Sequence, residues 1–292
     1  MAYADLVYSN VVKEILDHGI WDKDQDVRTK WADGTPAYTK SVISTQMKFD
    51  NKEVPILTQK RVAWKTAIKE ILAFWKDKEY RFDYFHKHNI HIWDEWEIKD
   101  GKWKGTIGPS YGYQMGKLVR KGELLDIVHG EPTYKMLDQV DYLLDQLNTN
   151  PSSRRHITSL WNIHDLDEMA LNPCVWNTQW LVKEGSLHLI VGVRSNDMGL
   201  GNPFNVFQYY VLQRMIAQVT GYEIGTLTFN INDAHIYERH IEPLEKQISL
   251  PSYPAPILRI NPEIKNFYDF TIDDFDLVGY EHGPTISMEV AI

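Results

Sequence analysis

A single cysteine in a chain of 292 residues leaves no internal disulfide to form, which excludes a small secreted fold stapled by cross-links. No run of eighteen apolar residues occurs, so a membrane-spanning helix is not expected. The opening residues, MAYADLVYSN, lack the basic region and apolar run of a secretory signal, and the chain reads as cytoplasmic. Basic residues are in deficit, 31 Lys and Arg against 40 Asp and Glu, which argues against a general polyanion or nucleic-acid binder. Internal repeats and low-complexity stretches are absent. What is present is core material. Apolar residues make up 43% and aromatics 12%, enough to bury a sizeable core and to exclude a disordered chain. No composition break marks a linker, so one mixed α/β domain over residues 1–292 is expected.

Along the chain, Val7, Val11 and Ile15 recur four apart and predict a helix over 6–16 that ends at Gly19. Trp64, Ile68, Ile71, Leu72 and Trp75 line one face of a helix over 61–76. Residues 97–132 are the least regular and read as long excursions. A helix is expected next, with Leu137, Val140, Leu144 and Leu147 inward. Residues 176–182 and 186–194 predict two strands joined at Lys183-Glu184-Gly185. Asn202-Pro203 reads as the N-cap and first position of a helix running to about Thr220 and stopping at Gly221. A strand from Thr226 to Ile231 then runs into Asp233–Tyr237. Residues 251–262 are proline-rich and extended, and 284–292 are mostly apolar.

Several residues in this frame carry chemistry. Cys174 reads either as a buried small hydrophobe or as a nucleophile, the latter requiring a thiolate and a nearby positive charge. The hairpin returns Arg194 toward it. Arg28, Arg154, Arg155 and Arg194-Ser195 are candidates for an anion site, because guanidinium forks match phosphate oxygens. Adjacent Arg154 and Arg155 point to opposite sides of an extended chain, so one site rarely uses both. The segment Arg194–Asn205 joins a strand end to a helix start, where backbone amides favour anions. It lacks the third glycine of a dinucleotide fingerprint. Asp197 and Asn205 there serve either as turn and capping residues or as ligand groups. His235 and Tyr237 stand two apart and face one way in extended backbone. His86, His88 and His91 match no zinc pattern, and one distant cysteine leaves a structural zinc site short of ligands. Periodicity alone turns Glu70 to solvent.

Taken in order, these pieces resemble the thymidylate synthases. The resemblance rests on Arg28, Lys60-Arg61, Glu70, Ile92-Trp93-Asp94-Glu95-Trp96 and Gly108-Pro109-Ser110-Tyr111-Gly112. It continues through Ser153-Arg154-Arg155, Pro173-Cys174, Arg194-Ser195-Asn196-Asp197, Pro203-Phe204-Asn205, Asp233–Tyr237 and Val290-Ala291-Ile292. It spans nearly the whole chain, with 116–135 the poorest fit, and is nearest to the Bacillus and Bacillus-phage branch. It implies an α+β fold whose mixed sheet is flanked by helices, with two subunits packed sheet to sheet.

The implied reaction is reductive methylation of dUMP to dTMP. Methylene-tetrahydrofolate supplies carbon and hydride as co-substrate, dihydrofolate is released, and no metal is involved. By the same resemblance Cys174 attacks uracil carbon 6, and Arg194 flanks thiolate and phosphate. Arg28 and Ser195 complete the phosphate site, with Arg154 and Arg155 reaching in from the other subunit of a homodimer. Asn205 faces the uracil edge, with its amide orientation deciding between uracil and cytosine. His235 and Tyr237 hold the ribose hydroxyl. Asp197 bonds the pterin, and Trp93, Leu200 and Ile292 pack around the folate. Glu70 organises proton-moving water, and Tyr111 helps remove the carbon 5 proton. Three departures stand out: Val175 where histidine is usual, Asn232 where glycine is usual, and a loop after Arg28 lengthened by Lys30-Trp31-Ala32-Asp33. Two other readings remain open, a dUMP hydroxymethylase and a non-catalytic nucleotide- or RNA-binding module.

Overall fold

A computed structural model describes residues 1–292. In chain order its elements are α1 (Tyr3–His18), β1 (Ile20–Trp21), β2 (Thr39–Phe49), α2 (Trp64–Ile71), α3 (Phe82–Lys87), α4 (Gly112–Gly116), β3 (Arg120–Val128) and β4 (Glu131–Leu137). There follow α5 (Gln139–Thr149), β5 (His156–Ser159), β6 (Val175–Lys183), β7 (Ser186–Val193), β8 (Asn196–Asp197), α6 (Gly201–Thr220) and β9 (Glu223–Tyr237). The last are α7 (Ile241–Ser249), β10 (Ile257–Ile260) and β11 (Phe275–Val278). No helix is long and apolar enough to cross a membrane.

The central sheet has the order β1-β2-β9-β7-β6-β5, with β8 beside β9. It is mixed: β7 and β8 run parallel to β9, and the other pairings are antiparallel. A parallel neighbour requires a crossover, and α6 supplies it between β8 and β9. One face of the sheet is apolar. Leu187, Leu189, Val191 and Val193 of β7, with Leu227, Phe229 and Ile231 of β9, are fully buried in a continuous core of 55 residues. The alternate residues of β7, His188 and Ile190, stay half-buried on the other face.

The β6–β7 hairpin closes through Glu184 and Gly185, both at positive φ (49° and 75°), the primed-turn geometry that matches strand twist. Gly221 stops α6 in the left-handed conformation expected of it. Elsewhere the sequence reading needs correction. Residues 120–137 form a hairpin, not an irregular excursion, turning at His129-Gly130 with both φ positive. Leu137 therefore ends β4, and Asp138 caps α5 by accepting from Val140 N and Asp141 N. The inward residues of α5 are Val140, Leu143 and Leu147, while Leu144 is half-buried. Helix α6 begins at Gly201, with Leu200 in the cap position. Asn202 instead buries its amide and donates to Asn196 Oδ1 at 2.6 Å. Helix α2 stops at Ile71 and continues as a π-helical turn over Leu72–Lys76. Such widened turns recur at functional sites.

Candidate active site

Topology converges on one end of the sheet. Arg194 and Ser195 leave the carboxyl end of β7, Asp197 sits on β8, and His235 and Tyr237 close β9. Because β6 runs against β7, Cys174, just before β6, lies at this same end; Arg194 N donates to Cys174 O at 2.9 Å. Open sheets bind ligands outside the carboxyl ends of their parallel strands, beside a crossover such as this one.

Cys174 is half-buried. Its backbone N donates to Tyr111 Oη at 3.1 Å. Arg194 is tied to the turn that carries the cysteine: Nε donates to Pro173 O at 3.0 Å and Nη2 to Asn172 O at 2.8 Å. Two of five guanidinium protons are thus spent on positioning, and three are left for an anion. Burial pushes the thiol pKa up, and Arg194 only partly opposes this. Desolvation of the sulfur thus outweighs the one guanidinium beside it. Tyr111 sits at φ 34°, a strained value for a side-chain-bearing residue. Its ring stacks on Phe74 at 4.8 Å and meets Trp93 edge-on at 5.3 Å.

Beside Cys174 opens a pocket lined by Glu70, Trp93, Tyr111 and Asn205, together with Gln208 and Tyr209, which the sequence reading did not name. Glu70 is 7% exposed, so the solvent-facing reading from periodicity is wrong. The reason is that α2 is covered on this side as well: its Ala67 carbonyl and Glu70 both meet Gln208 of α6. Trp93 Nε1 donates to Glu70 Oε1 at 2.5 Å, and Gln208 Nε2 donates to Glu70 Oε2. Burial raises the carboxyl pKa to about 7 against these two donors.

The orientation of Asn205 follows from the same network. Ala67 O can only accept, so Gln208 presents Nε2 there, at 3.2 Å. Gln208 Oε1 must then face Asn205, whose Nδ2 donates to it at 3.3 Å. Asn205 Oδ1 accepts from Asn196 Nδ2 at 3.1 Å, and Asn196 Oδ1 is held in turn by Asn202. Gln208 lies one turn from Asn205 on α6, a spacing that signals a shared face. Without the third partner, Ala67, its role is invisible in sequence.

At the other side, Asp197 accepts from Gly199 N at 2.7 Å and Leu200 N at 3.3 Å. Burial would raise its pKa, but His240, His235 and the Gly199 amide hold it below the usual carboxylate range. Burial works against the charged His235, yet Asp233 and Asp197 leave its pKa raised. Ser195 Oγ lies 3.5 Å from His235 Nδ1. The His235 and Tyr237 rings meet at 5.3 Å, facing one way as their spacing requires. Lys60 donates to Gly199 O at 2.6 Å, and burial lowers its pKa to about 8.

Three arginines stand apart. Arg28, Arg154 and Arg155 are exposed, and none of their guanidinium groups makes a hydrogen bond or ion pair within the chain. The lengthened loop after Arg28 is well anchored: Trp31 is 4% exposed and packs on Tyr237 and His240. Ile292 pairs its backbone with Lys30, N to O at 2.9 Å and O to N at 2.6 Å, and its side chain is 45% exposed. The rings packed against Trp93 are those of Phe74, Trp96 and Tyr111. Val175 is buried in the core, and Leu200 caps α6. Asn232 has no positive φ; the register break it shares falls on Ser44 across the ladder, at φ 61°.

Comparison with known proteins agrees with this geometry. The family described as Thymidylate synthase matches residues 6–292. Thymidylate synthase of Bacillus phage phi3T is 57% identical over 293 aligned residues, covering all of both chains. Thymidylate synthase 1 of Bacillus subtilis strain 168 is 58% identical, again over the full length of both. The solved structure of the thermostable thymidylate synthase A from Bacillus subtilis superposes with a TM-score of 0.89 at 58% identity, covering 99% of each chain. A family match over residues 6–292, full-length identity above one half and a superposable solved structure agree: the chain belongs to the thymidylate synthase family.

Proposed function

We propose that Cys174 is the nucleophile with which this methyltransferase converts dUMP to dTMP, acting within one catalytic domain over residues 1–292. The observation that carries the assignment is the placement of Cys174 beside Arg194 and Tyr111, next in sequence to Val175, which with Tyr111 lines the pocket containing Glu70 and Asn205. Addition of sulfur to carbon 6 of the uracil makes carbon 5 nucleophilic. Carbon 5 then takes the methylene group of methylene-tetrahydrofolate, and hydride from the same co-substrate completes the methyl group. The free protons of Arg194, with Arg28 and Ser195, bind the phosphate. Asn205 presents one N–H and one oxygen lone pair, a donor for O4 and an acceptor for N3–H of uracil. His235 and Tyr237 hold the ribose hydroxyl.

Glu70, with a pKa near 7, is suited to relay protons through water at the ring. Tyr111 stands on the reacting side and assists loss of the carbon 5 proton. Asp197 bonds the pterin of the folate, around which Trp93, Leu200 and Ile292 pack in this reading. A nucleophilic thiol must stay reduced, which fits a cytoplasmic enzyme.

The active unit is a homodimer in this reading. Support comes from the uncovered sheet face, where Ile157, 51% exposed, pairs in register with Gln179, which in turn pairs with Ile190. Arg154 and Arg155 precede β5 at the edge of that face, lack partners in their own chain, and complete the phosphate site of the other subunit.

The test is covalent trapping. Incubation with 5-fluoro-dUMP and methylene-tetrahydrofolate is expected to give one ternary adduct per site by intact mass, absent from Cys174→Ser. An adduct surviving that substitution refutes the nucleophile assignment. With dUMP, release of dihydrofolate distinguishes methylation from hydroxymethylation, since only hydride transfer oxidises the folate.

A further inference from the structure

We propose that His86, His91 and Asp94 form a surface site for a divalent transition-metal ion, separate from the chemistry at Cys174. One ligand atom from each lies within 4.8 Å of the others, and no other such histidine, cysteine and carboxylate cluster exists in the chain. Asp94 sits between the two imidazoles, Oδ1 at 2.9 Å from His86 Nε2 and Oδ2 at 3.0 Å from His91 Nδ1. The rings lie nearly parallel, 21° apart with centroids 5.4 Å distant, and each turns one nitrogen to the same carboxylate. The remaining nitrogen of His91, Nε2, is 3.2 Å from Asn89 Oδ1. That contact is the outer partner a metal-bound imidazole needs: it takes the Nε2 proton and leaves Nδ1 free to bind.

The scaffold is firm although the ligands are exposed. Phe85 and Ile90 are fully buried beneath the turn, and Asn89 N and Ile90 N donate back to His86 O and Phe85 O. Asn89 itself adopts φ 56°, which folds the chain back and brings His91 over His86. Spacing in sequence excluded a closed four-ligand zinc site. An open site requires only three protein ligands, with water in the remaining positions. Two imidazoles and one carboxylate favour zinc, nickel, cobalt or copper over magnesium or calcium. Because Asp94 follows Trp93 directly, a bound ion ties α3 to the segment that carries the indole partner of Glu70.

The experiment is calorimetric titration of the chelator-treated enzyme with Ni²⁺ and Zn²⁺, alongside His86→Ala, His91→Ala, the double variant and Cys174→Ser. Loss of an outer partner alone costs roughly 10- to 100-fold in metal affinity, so loss of a ligand is expected to cost more than about tenfold. One ion per chain is expected in the wild type and in Cys174→Ser, and none in the double variant. The Co²⁺ spectrum is expected to lack a thiolate charge-transfer band. Metal is also expected to raise the Tm of the wild type and not of the double variant, by linkage. The metal-free Tm of each variant checks that it folds. Undiminished binding by the double variant, binding lost in Cys174→Ser, or no binding by the wild type would overturn the site.

Discussion

Gln208 turns its amide oxygen to Asn205 and its amide nitrogen to Ala67 O and Glu70, so one glutamine orients the Asn205 amide and the buried carboxyl together. An asparagine reads uracil only if it cannot flip, and an acceptor-only backbone carbonyl two links away prevents the flip. Replacing Gln208 by Leu removes that constraint and leaves Ala67 O and Glu70 short of donors. Each unsatisfied buried polar group costs about 1–3 kcal/mol. The kcat/KM for dUMP is therefore expected to fall by roughly 10- to 100-fold. Discrimination against dCMP is expected to shrink as well, measured as the ratio of binding constants for the two nucleotides. An unchanged ratio would show that Asn205 is oriented by other groups.

Glu70 yields a pH prediction whose sign is fixed by its raised pKa. Between the unfolded value of 4.5 and the folded value of about 7, the native state binds a proton that the unfolded state has lost. Stability from this group is full below pH 4.5 and is lost as pH rises to about 7, by roughly 3 kcal/mol in all. Glu70→Gln cannot titrate. Urea denaturation at pH 5 and pH 8 is expected to show a smaller loss for this variant than for the wild type. Equal pH slopes would mean that the carboxyl is ionised in the native state throughout. In kinetics, the inflection near neutrality is expected to vanish and kcat to fall by about 10²- to 10⁴-fold.

The strands and their turns were legible because local patterns there coincide with tertiary demands: β7 alternates, and Gly185 and Gly221 sit where φ must be positive. Glu70 was not legible from period. A helix buried on two sides places a carboxyl inside whenever a neighbour supplies donors, and those donors come from α6 and Trp93. The hairpin at 120–137 was missed because its strands expose both faces, so no alternation of polar and apolar residues marks it. Cys174, Arg194 and Asn205 were visible as residue types, but only topology gathers them. The direction of the thiol pKa was not legible for a related reason: the sequence names the cation, whereas burial of the sulfur appears only once the chain is folded.

Arg239 joins the loop that follows Arg28 to the segment ending at Ile292. Its guanidinium bonds Asp33 at 2.6 Å and Glu289 at 2.9 Å and lies 4.8 Å above the Trp31 ring. All three charged groups are well exposed, and such pairs are worth about 0–1 kcal/mol each. Arg239→Ala is thus expected to change global stability little. Local order is a different matter, because Arg239 adds a side-chain link to a junction otherwise held by the Lys30–Ile292 backbone pair and the bond from Ala32 N to Glu289. Hydrogen exchange at Lys30 and Ile292, whose amides pair with each other's carbonyls, is expected to quicken, and more so as salt is raised in the wild type. Unaltered protection of both amides in the variant would leave Trp31 packing as the dominant anchor.

The exposed pair Arg154 and Arg155 makes the homodimer testable by mixing. Arg154→Ala/Arg155→Ala keeps its own Cys174 but, in the proposed arrangement, leaves its partner's phosphate site incomplete. Cys174→Ser keeps both arginines and has no nucleophile. Each variant alone is expected to be nearly inactive. After unfolding and refolding together, a mixed dimer contains one site with an intact cysteine and two arginines from the neighbour. Random pairing makes half of the dimers mixed, so about one quarter of all sites should recover, as the symmetry of an isologous dimer requires. If the arginines acted within their own chain, no mixed dimer would contain a complete site. Recovery near one quarter in the dTMP assay, set against none, separates the two arrangements without reference to stability.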